Sequence, residues 1–378
     1  MYDYLIIGAG AAGCSIAHFL KKAGKNVAII DRDGVASGAS GAAGAFLSPL
    51  AGKKNLYNSF VNDSLSFSLD FYKKLSSESL IKRGVLRVAD KNFSKETLNE
   101  LKNEHYSSKK LQTLCSDFKE IEGFFYKNAG HINPAEISKK MIAECDFYKK
   151  EIVELTYKEG VYEADGVRAK SVILTQGVSS SLVDAPYIEI NPIFGLRLDA
   201  KTTTKIPFNI HKSISISTNK KDNTIAIGAT QQRHDSTQML CNTSCDKCSF
   251  YVDDQKAQVE YLLKKAYELI ELKDLEVIKT YKGARASIKS YFPVVGELID
   301  YEATLEKHPS IKNGTKIPKE SLLYHQNIYI INALGSRGFV FAPYLAKILS
   351  QYLLEKKEIA DEISTQKLFF KYARKKRD

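Results

Sequence analysis

The chain opens on Tyr4-Leu5-Ile6-Ile7, an unbroken apolar run that ends on Gly8-Ala9-Gly10-Ala11-Ala12-Gly13. This pattern predicts a buried strand, a glycine turn and a helix, in that order. A second run, Lys25-Asn26-Val27-Ala28-Ile29-Ile30-Asp31, predicts the next strand and ends in a carboxylate. Two later segments have the same shape: Gly166 to Gly177 reads as a turn and a strand running into a glycine, and Asn327 to Gly335 repeats it near the C-terminus. Runs apolar on both faces belong in one parallel sheet. The stretches 76–125 and 190–285 are richer in charge and in short alternating strands, such as Ser213-Ile214-Ser215-Ile216-Ser217 and Thr224-Ile225-Ala226-Ile227-Gly228. They predict a second, mostly antiparallel sheet. Phe339 to Leu349 has the apolar spacing of a buried helix, entered through Gly335-Ser336-Arg337-Gly338.

The first turn has the G-x-G-x-x-G spacing of a phosphate cradle. Gly8 allows the sharp bend, Gly10 lets the backbone approach a pyrophosphate, and Gly13 lets the helix pack closely on its strand. The helix start presents N–H groups to the anion. Asp31 ends the second strand about 20 residues further on, where a carboxylate accepts hydrogen bonds from an adenosine ribose; a turn or cap role is its other reading. Asp3 and the lack of a basic leader argue against a signal peptide. After the second strand comes Ala36-Ser37-Gly38-Ala39-Ser40-Gly41-Ala42-Ala43-Gly44-Ala45, whose tiny side chains let a bulky planar group lie against backbone. That suits a flavin, whereas a flexible linker sits poorly beside the apolar Phe46-Leu47-Ser48-Pro49-Leu50. The N-terminus of the late helix, with Gly335 and Gly338, would stabilise negative charge on a flavin that takes a hydride; a second phosphate turn or plain packing is the alternative.

At 378 residues and 42.3 kDa the chain exceeds one compact core. No linker or repeat marks a single boundary, so interleaved domains are expected. The fold class is α/β: a Rossmann-like FAD-binding domain (1–75, 126–190, 286–378) interleaved with a mostly antiparallel α+β substrate domain (76–125, 191–285), with a ligand cavity at their seam. No apolar run reaches the ~18 residues that span a bilayer, so no membrane partner is expected. Six cysteines in a chain of this size fit a reducing cytoplasm better than a disulfide framework.

The net charge of +11 favours a polyanionic partner, although a generally solvated basic surface gives the same figure. Lys371, Arg374, Lys375, Lys376 and Arg377 form either a phosphate-gripping tail or a frayed terminus. Cys241, Cys245 and Cys248 have the spacing of an iron–sulfur loop, but no barrel-like alternation of strands and helices follows them. With His234 they could close a zinc shell, or they are reduced loop cysteines. No metal is assigned. Cys14 is a small buried residue of the first helix.

Several stretches in order give the chain a family likeness: the fingerprint, Ser37-Gly38-Ala39-Ser40-Gly41, Gly130-His131-Ile132-Asn133-Pro134-Ala135-Glu136, Ile227-Gly228-Ala229-Thr230, Gly283-Ala284-Arg285 running to Pro293-Val294-Val295-Gly296, and Ala333-Leu334-Gly335-Ser336-Arg337-Gly338 with Ala342-Pro343. The chain resembles the glycine oxidase and D-amino-acid oxidase superfamily of FAD enzymes over nearly its whole length. Within it, the likeness is finest to the FAD-dependent oxidoreductase domain of the bifunctional tRNA 5-methylaminomethyl-2-thiouridine biosynthesis enzymes. No counterpart of their methyltransferase domain is seen, so methyl transfer is not implied. Tryptophan is missing, and His131, where that family's motif has an aromatic, reads as a packing substitution.

The resemblance implies FAD as cofactor, tRNA as substrate, a separate methyltransferase as a possible partner, and oxidation of the carboxymethylaminomethyl group of a wobble uridine to aminomethyl-uridine and glyoxylate. Molecular oxygen would reoxidise the flavin. Arg285 is the first choice to clamp the substrate carboxylate, because its motif resembles the one that supplies that arginine in amine-oxidising relatives; a salt bridge is the alternative. Arg337 is second, with a backbone-bracing role as its alternative. The implied cofactor contacts are Gly8, Gly10, Gly13, Asp31, Ser37, Ser40, Gly44, Gly177, Gly335 and Gly338. Two other functions share parts of this reading: oxidation of a free amine such as glycine or sarcosine, and flavin binding without turnover on a nucleic-acid scaffold.

Overall fold

The computed structural model describes residues 1–50, 52, 55–89, 104–179, 182–233 and 255–374. They cluster into two compact units, each made from separate stretches of chain. Unit 1 takes residues 1–38, 138–192 and 285 onward, and unit 2 takes 39–137 and 193–284. Residues 39–75 and 126–137, grouped above with the cofactor-binding segments, cluster with unit 2.

Unit 1 is built on an eight-stranded sheet. Its parallel core runs Asp146–Lys149, Val27–Asp31, Tyr2–Ile7, Val167–Leu174, Tyr324–Asn332, and Val294–Ile299 closes one edge antiparallel. The apolar runs at 167–174 and 324–332 therefore join the N-terminal strand, as their patterns predict. Alternate residues of four of these strands, Leu5 and Ile7, Ala28 and Ile30, Val172 and Leu174, Ile328 and Ile330, form one buried cluster. The residues between them, Ile6, Ile29, Ile173 and Tyr329, are buried as well. Both faces are covered toward the C-terminal ends of these strands, where the sequence is apolar throughout, whereas the first half of Val167–Leu174 alternates and leaves Arg168 and Lys170 exposed. The helix Ala11–Lys22 packs on the late helix Gly338–Glu355.

Unit 2 holds a nine-stranded sheet in which most pairings are antiparallel, while Asn209–His211 runs parallel to Val85–Val88. Thr224–Gly228 is a strand as its pattern predicts, whereas the 213–217 alternation yields only Ser215–Ile216. The core of this unit gathers Leu196, Leu198, Ala200, Ile210, Ile216, Ile225 and Ile227 with Leu262 and Ala266 of the helix Gln255–Tyr267. A three-stranded sheet places Gly130–Ile132 between Phe46–Leu47 and Leu80–Ile81.

Candidate cofactor site

Unit 1 collects its glycine turns at one end of the parallel sheet. Asp31, Gly8, Gly177 and Gly335 lie at or just beyond the C-terminal ends of four adjacent strands, Val27–Asp31, Tyr2–Ile7, Val167–Leu174 and Tyr324–Asn332. From Tyr2–Ile7 the chain winds to one side through Val27–Asp31 and later returns on the other through Val167–Leu174. The crevice at such a switch point is where open α/β sheets bind ligands.

The first turn is as tight as its glycines allow. Gly8 has φ +108°, and a Cβ there would lie 2.5 Å from the carbonyl oxygen of Thr175. A Cβ on Gly13 would lie 1.9 Å from the Gly8 carbonyl oxygen, so the helix start presses directly on the turn. Thr175 braces this contact: its hydroxyl donates toward the carbonyls of Ile7 (3.0 Å) and Gly8 (2.7 Å). Sequence reasoning passed over Thr175; its signal was a hydroxyl residue set between an apolar strand and Gly177.

Gly10 caps the helix Ala11–Lys22 with no side-chain cap bond, and no acidic residue stands in the first turn. The positive end of the helix dipole is thus left for an external anion. Asp31 sits beside it with both carboxylate oxygens engaged. Oδ2 accepts from the Ala9 amide (2.8 Å), while Oδ1 accepts from the Asp33 and Gly34 amides (2.9 Å each) and the Ser37 hydroxyl (3.2 Å). The carboxylate ties the first glycine turn to the loop after the second strand.

On the other side of the first strand, Asn332 binds two loops. Its Nδ2 donates to the Gly177 carbonyl (3.0 Å) and its Oδ1 accepts from the Ala333 amide (2.7 Å). Gly177 and Gly335 have φ +61° and +56°, which accounts for glycine at both. Gly338 is different. It has ordinary helical geometry (φ −47°, ψ −52°), and a Cβ there would meet no heavy atom within 4 Å. Packing gives no reason for glycine at this helix start, but close approach by a ligand does. The residues of unit 1 therefore fit a dinucleotide cofactor on two independent observations, the uncapped first helix and the open cradle at Gly338.

Both candidate arginines belong to unit 1. Arg285 is half-buried near the end of the strand Glu276–Ser287, and burial pulls its guanidinium below the ordinary value. Arg337 is half-buried at the N-cap of Gly338–Glu355, where it makes no side-chain cap bond.

Ser40 and Gly44 belong to unit 2. Ser40 lies in the short helix Ala39–Ala42. At Gly44 a Cβ would strike the Phe46 ring at 2.5 Å. His131 is 3% exposed and shares a hydrogen bond of 3.0 Å with the side chain of Asn209. Burial holds its imidazole down at about 4. The ring is thus neutral and buried, with Asn209 as a side-chain partner. His234 and Cys241, Cys245 and Cys248 lie outside the described residues, as do Lys375, Lys376 and Arg377. Among the described residues, no cluster of three or more His, Cys, Asp or Glu could hold a metal, and no helix is long and apolar enough to cross a membrane.

The profile of the DAO family, FAD dependent oxidoreductase, matches residues 3–352. The chain belongs to this family. FAD is therefore its cofactor. Among curated relatives, it is 26% identical over 369 residues to the tRNA 5-methylaminomethyl-2-thiouridine biosynthesis bifunctional protein MnmC of Campylobacter fetus, covering 94% of this chain and 56% of that protein. The MnmC of Vibrio campbellii is 22% identical, with 92% and 55% covered. The chain thus spans just over half the length of these relatives. Among solved structures, glycine oxidase from Bacillus cereus superposes with a TM-score of 0.74 at 19% identity, covering 95% of this chain and 96% of that one. That likeness shows the fold of this FAD-dependent oxidoreductase.

Proposed function

We propose that this FAD-dependent oxidoreductase removes the carboxymethyl group from carboxymethylaminomethyl-uridine at the wobble position of tRNA, leaving aminomethyl-uridine and glyoxylate. The observation that carries the reading is the alignment of 94% and 92% of the chain with two relatives named for tRNA 5-methylaminomethyl-2-thiouridine biosynthesis. Acting on tRNA, it works in the cytoplasm, and its product suits a separate methyltransferase.

Bound FAD supplies the acceptor for the hydride. Gly8, Gly10, Gly13 and Asp31 hold its adenosine diphosphate half, and Ser37, Ser40, Gly44, Gly177, Gly335 and Gly338 are the further contacts. Arg285 clamps the substrate carboxylate through two parallel charge-assisted hydrogen bonds, which fixes the methylene that must lose hydride. Its partial burial strengthens this interaction, and a guanidinium keeps its charge at neutral pH even when burial lowers its pKa. Arg337 and the N-terminus of Gly338–Glu355 would offer positive charge to bound FAD as it accepts the hydride. On the substrate, loss of hydride from the methylene and of the amine proton leaves a C=N bond. Water adds to that carbon, the C–N bond breaks, and glyoxylate departs while the amine stays on the uridine.

The test is to incubate the FAD-loaded protein with tRNA bearing carboxymethylaminomethyl-uridine and to analyse nucleosides by mass. Aminomethyl-uridine and an equivalent of glyoxylate are expected. Arg285→Ala should retain FAD while losing about a hundredfold or more in kcat/KM. Oxidation of free glycine or sarcosine with tRNA left untouched overturns the reading in favour of a small-amine oxidase.

A further inference from the structure

The run Ala36–Ala45 poses a mechanical problem. Its ends are fixed, by burial of Ala36 and Ala45 and by the Ser37 hydroxyl on Asp31, but none of the four residues of its short helix Ala39–Ala42 is buried. A backbone expected to meet a rigid planar group needs a fixed position, which apolar burial does not provide across this helix. We propose that Arg197 supplies it, as a positioning residue that grips this segment by its backbone and so shapes the flavin contact; this rests on the reading of Ser40 and Gly44 given above.

Arg197 lies in the strand Asn191–Lys201, between Leu196 and Leu198, which point into the core of unit 2. Its own side chain leaves by the opposite face. Its Nε donates to the carbonyl of Ala42 at 3.0 Å, and its Nη1 donates to Asp199, two residues along the same face, at 2.6 Å. Its guanidinium carbon lies 4.0 Å from the centroid of the Tyr281 ring. Arg197 and Asp199 are only 6% and 8% exposed, so this is a buried ion pair directed at one peptide carbonyl.

Two glycines make room for the arrangement. Gly228 stands directly across the ladder from Arg197, and a Cβ there would come within 2.9 Å of the arginine Cγ. A Cβ on Gly283 would lie 2.8 Å from the Ala42 Cβ and 3.0 Å from the Ala39 Cα. The segment is thus seated against Gly283 and held by Arg197, with Tyr281 beneath the guanidinium. A buried ion pair adds little net stability over apolar residues of similar volume, so its retention points to geometry. The planar fork of arginine suits the task, since one nitrogen faces the carbonyl while another faces the carboxylate.

The test compares wild type with Arg197→Lys and with the double variant Arg197→Met/Asp199→Leu. The double variant removes both charges together and leaves neither one buried alone. Amide exchange across residues 39–45 is measured in the cofactor-free protein, FAD affinity by flavin fluorescence, and Tm alongside. Exchange in this segment should rise about tenfold and the Kd for FAD should weaken about tenfold in both variants, with the Tm of the double variant close to wild type. Unchanged exchange overturns the brace. Faster exchange with unchanged FAD affinity overturns the cofactor role of the segment and, with it, Ser40 and Gly44 as contacts. A wrong cofactor reading would show separately, as wild-type protein that takes up no FAD.

Discussion

Gly338 separates two demands that the other glycines combine. At Gly13 the protein itself forbids a side chain, because an added Cβ would sit 1.9 Å from the Gly8 carbonyl oxygen. Gly13→Ala should therefore cost about 3 kcal/mol of stability, with FAD binding lost as a consequence. At Gly338 the backbone is helical and a Cβ meets nothing within 4 Å. Gly338→Ala should stabilise the cofactor-free protein by about 0.5 kcal/mol through helix propensity, yet weaken its hold on FAD. Thermal melts with and without FAD distinguish the two positions. A Gly338→Ala protein that binds FAD as tightly as wild type would show that no ligand approaches this helix start.

The middle strand of the three-stranded sheet carries its own pH response. Its His131 donates from Nδ1 to Asn209 Oδ1, which also accepts from the Thr218 amide at 3.1 Å. Burial holds this imidazole neutral, with its pKa pushed down to about 4 from an ordinary 6.5. Between those values the unfolded chain binds a proton that the folded protein refuses. Stability is therefore unaffected by this group above 6.5, falls as the pH drops through the window, and has lost its full share below 4. Between pH 6.5 and 5 the loss is about 2 kcal/mol. Urea unfolding at the two pH values should show it in wild type and not in His131→Phe; equal slopes would refute it. How legible such features are depends on whether their partners are close in sequence. The first strand, the glycine turn, the first helix and Asp31 form one contiguous pattern, and the apolar runs 172–174 and 328–331 mark strand ends covered on both faces. By contrast, His131 meets Asn209 across 78 positions and Arg197 meets Ala42 across 155. No local period links such pairs. A faint signal did exist at Arg197, whose charge interrupts an apolar strand with an acid two residues on, the spacing that puts both on one face.

For the whole molecule, the net charge of +11 bears on the substrate class, because a polyanion would respond to it and a small amine would not. Several surface cations are already matched within the fold: Lys22 to Glu144, Arg32 to Glu151, Lys119 to Glu271, Lys150 to Asp165 and Lys170 to Asp3. Exposed pairs of this kind add little stability and leave the overall excess of positive charge unchanged. On the proposed function, that excess would attract tRNA by releasing counterions from its phosphates, a contribution that falls steeply with salt. If about five phosphates are neutralised, tRNA affinity should drop more than about a hundredfold between roughly 50 and 200 mM salt. A free amino acid carries no counterion atmosphere, so its KM would stay nearly flat over that range. Measuring the KM for tRNA turnover at several salt concentrations therefore tests the substrate class without mutation. A steep log–log decline in apparent affinity supports a tRNA-borne amine, and a flat line would mean that the basic surface is incidental to catalysis.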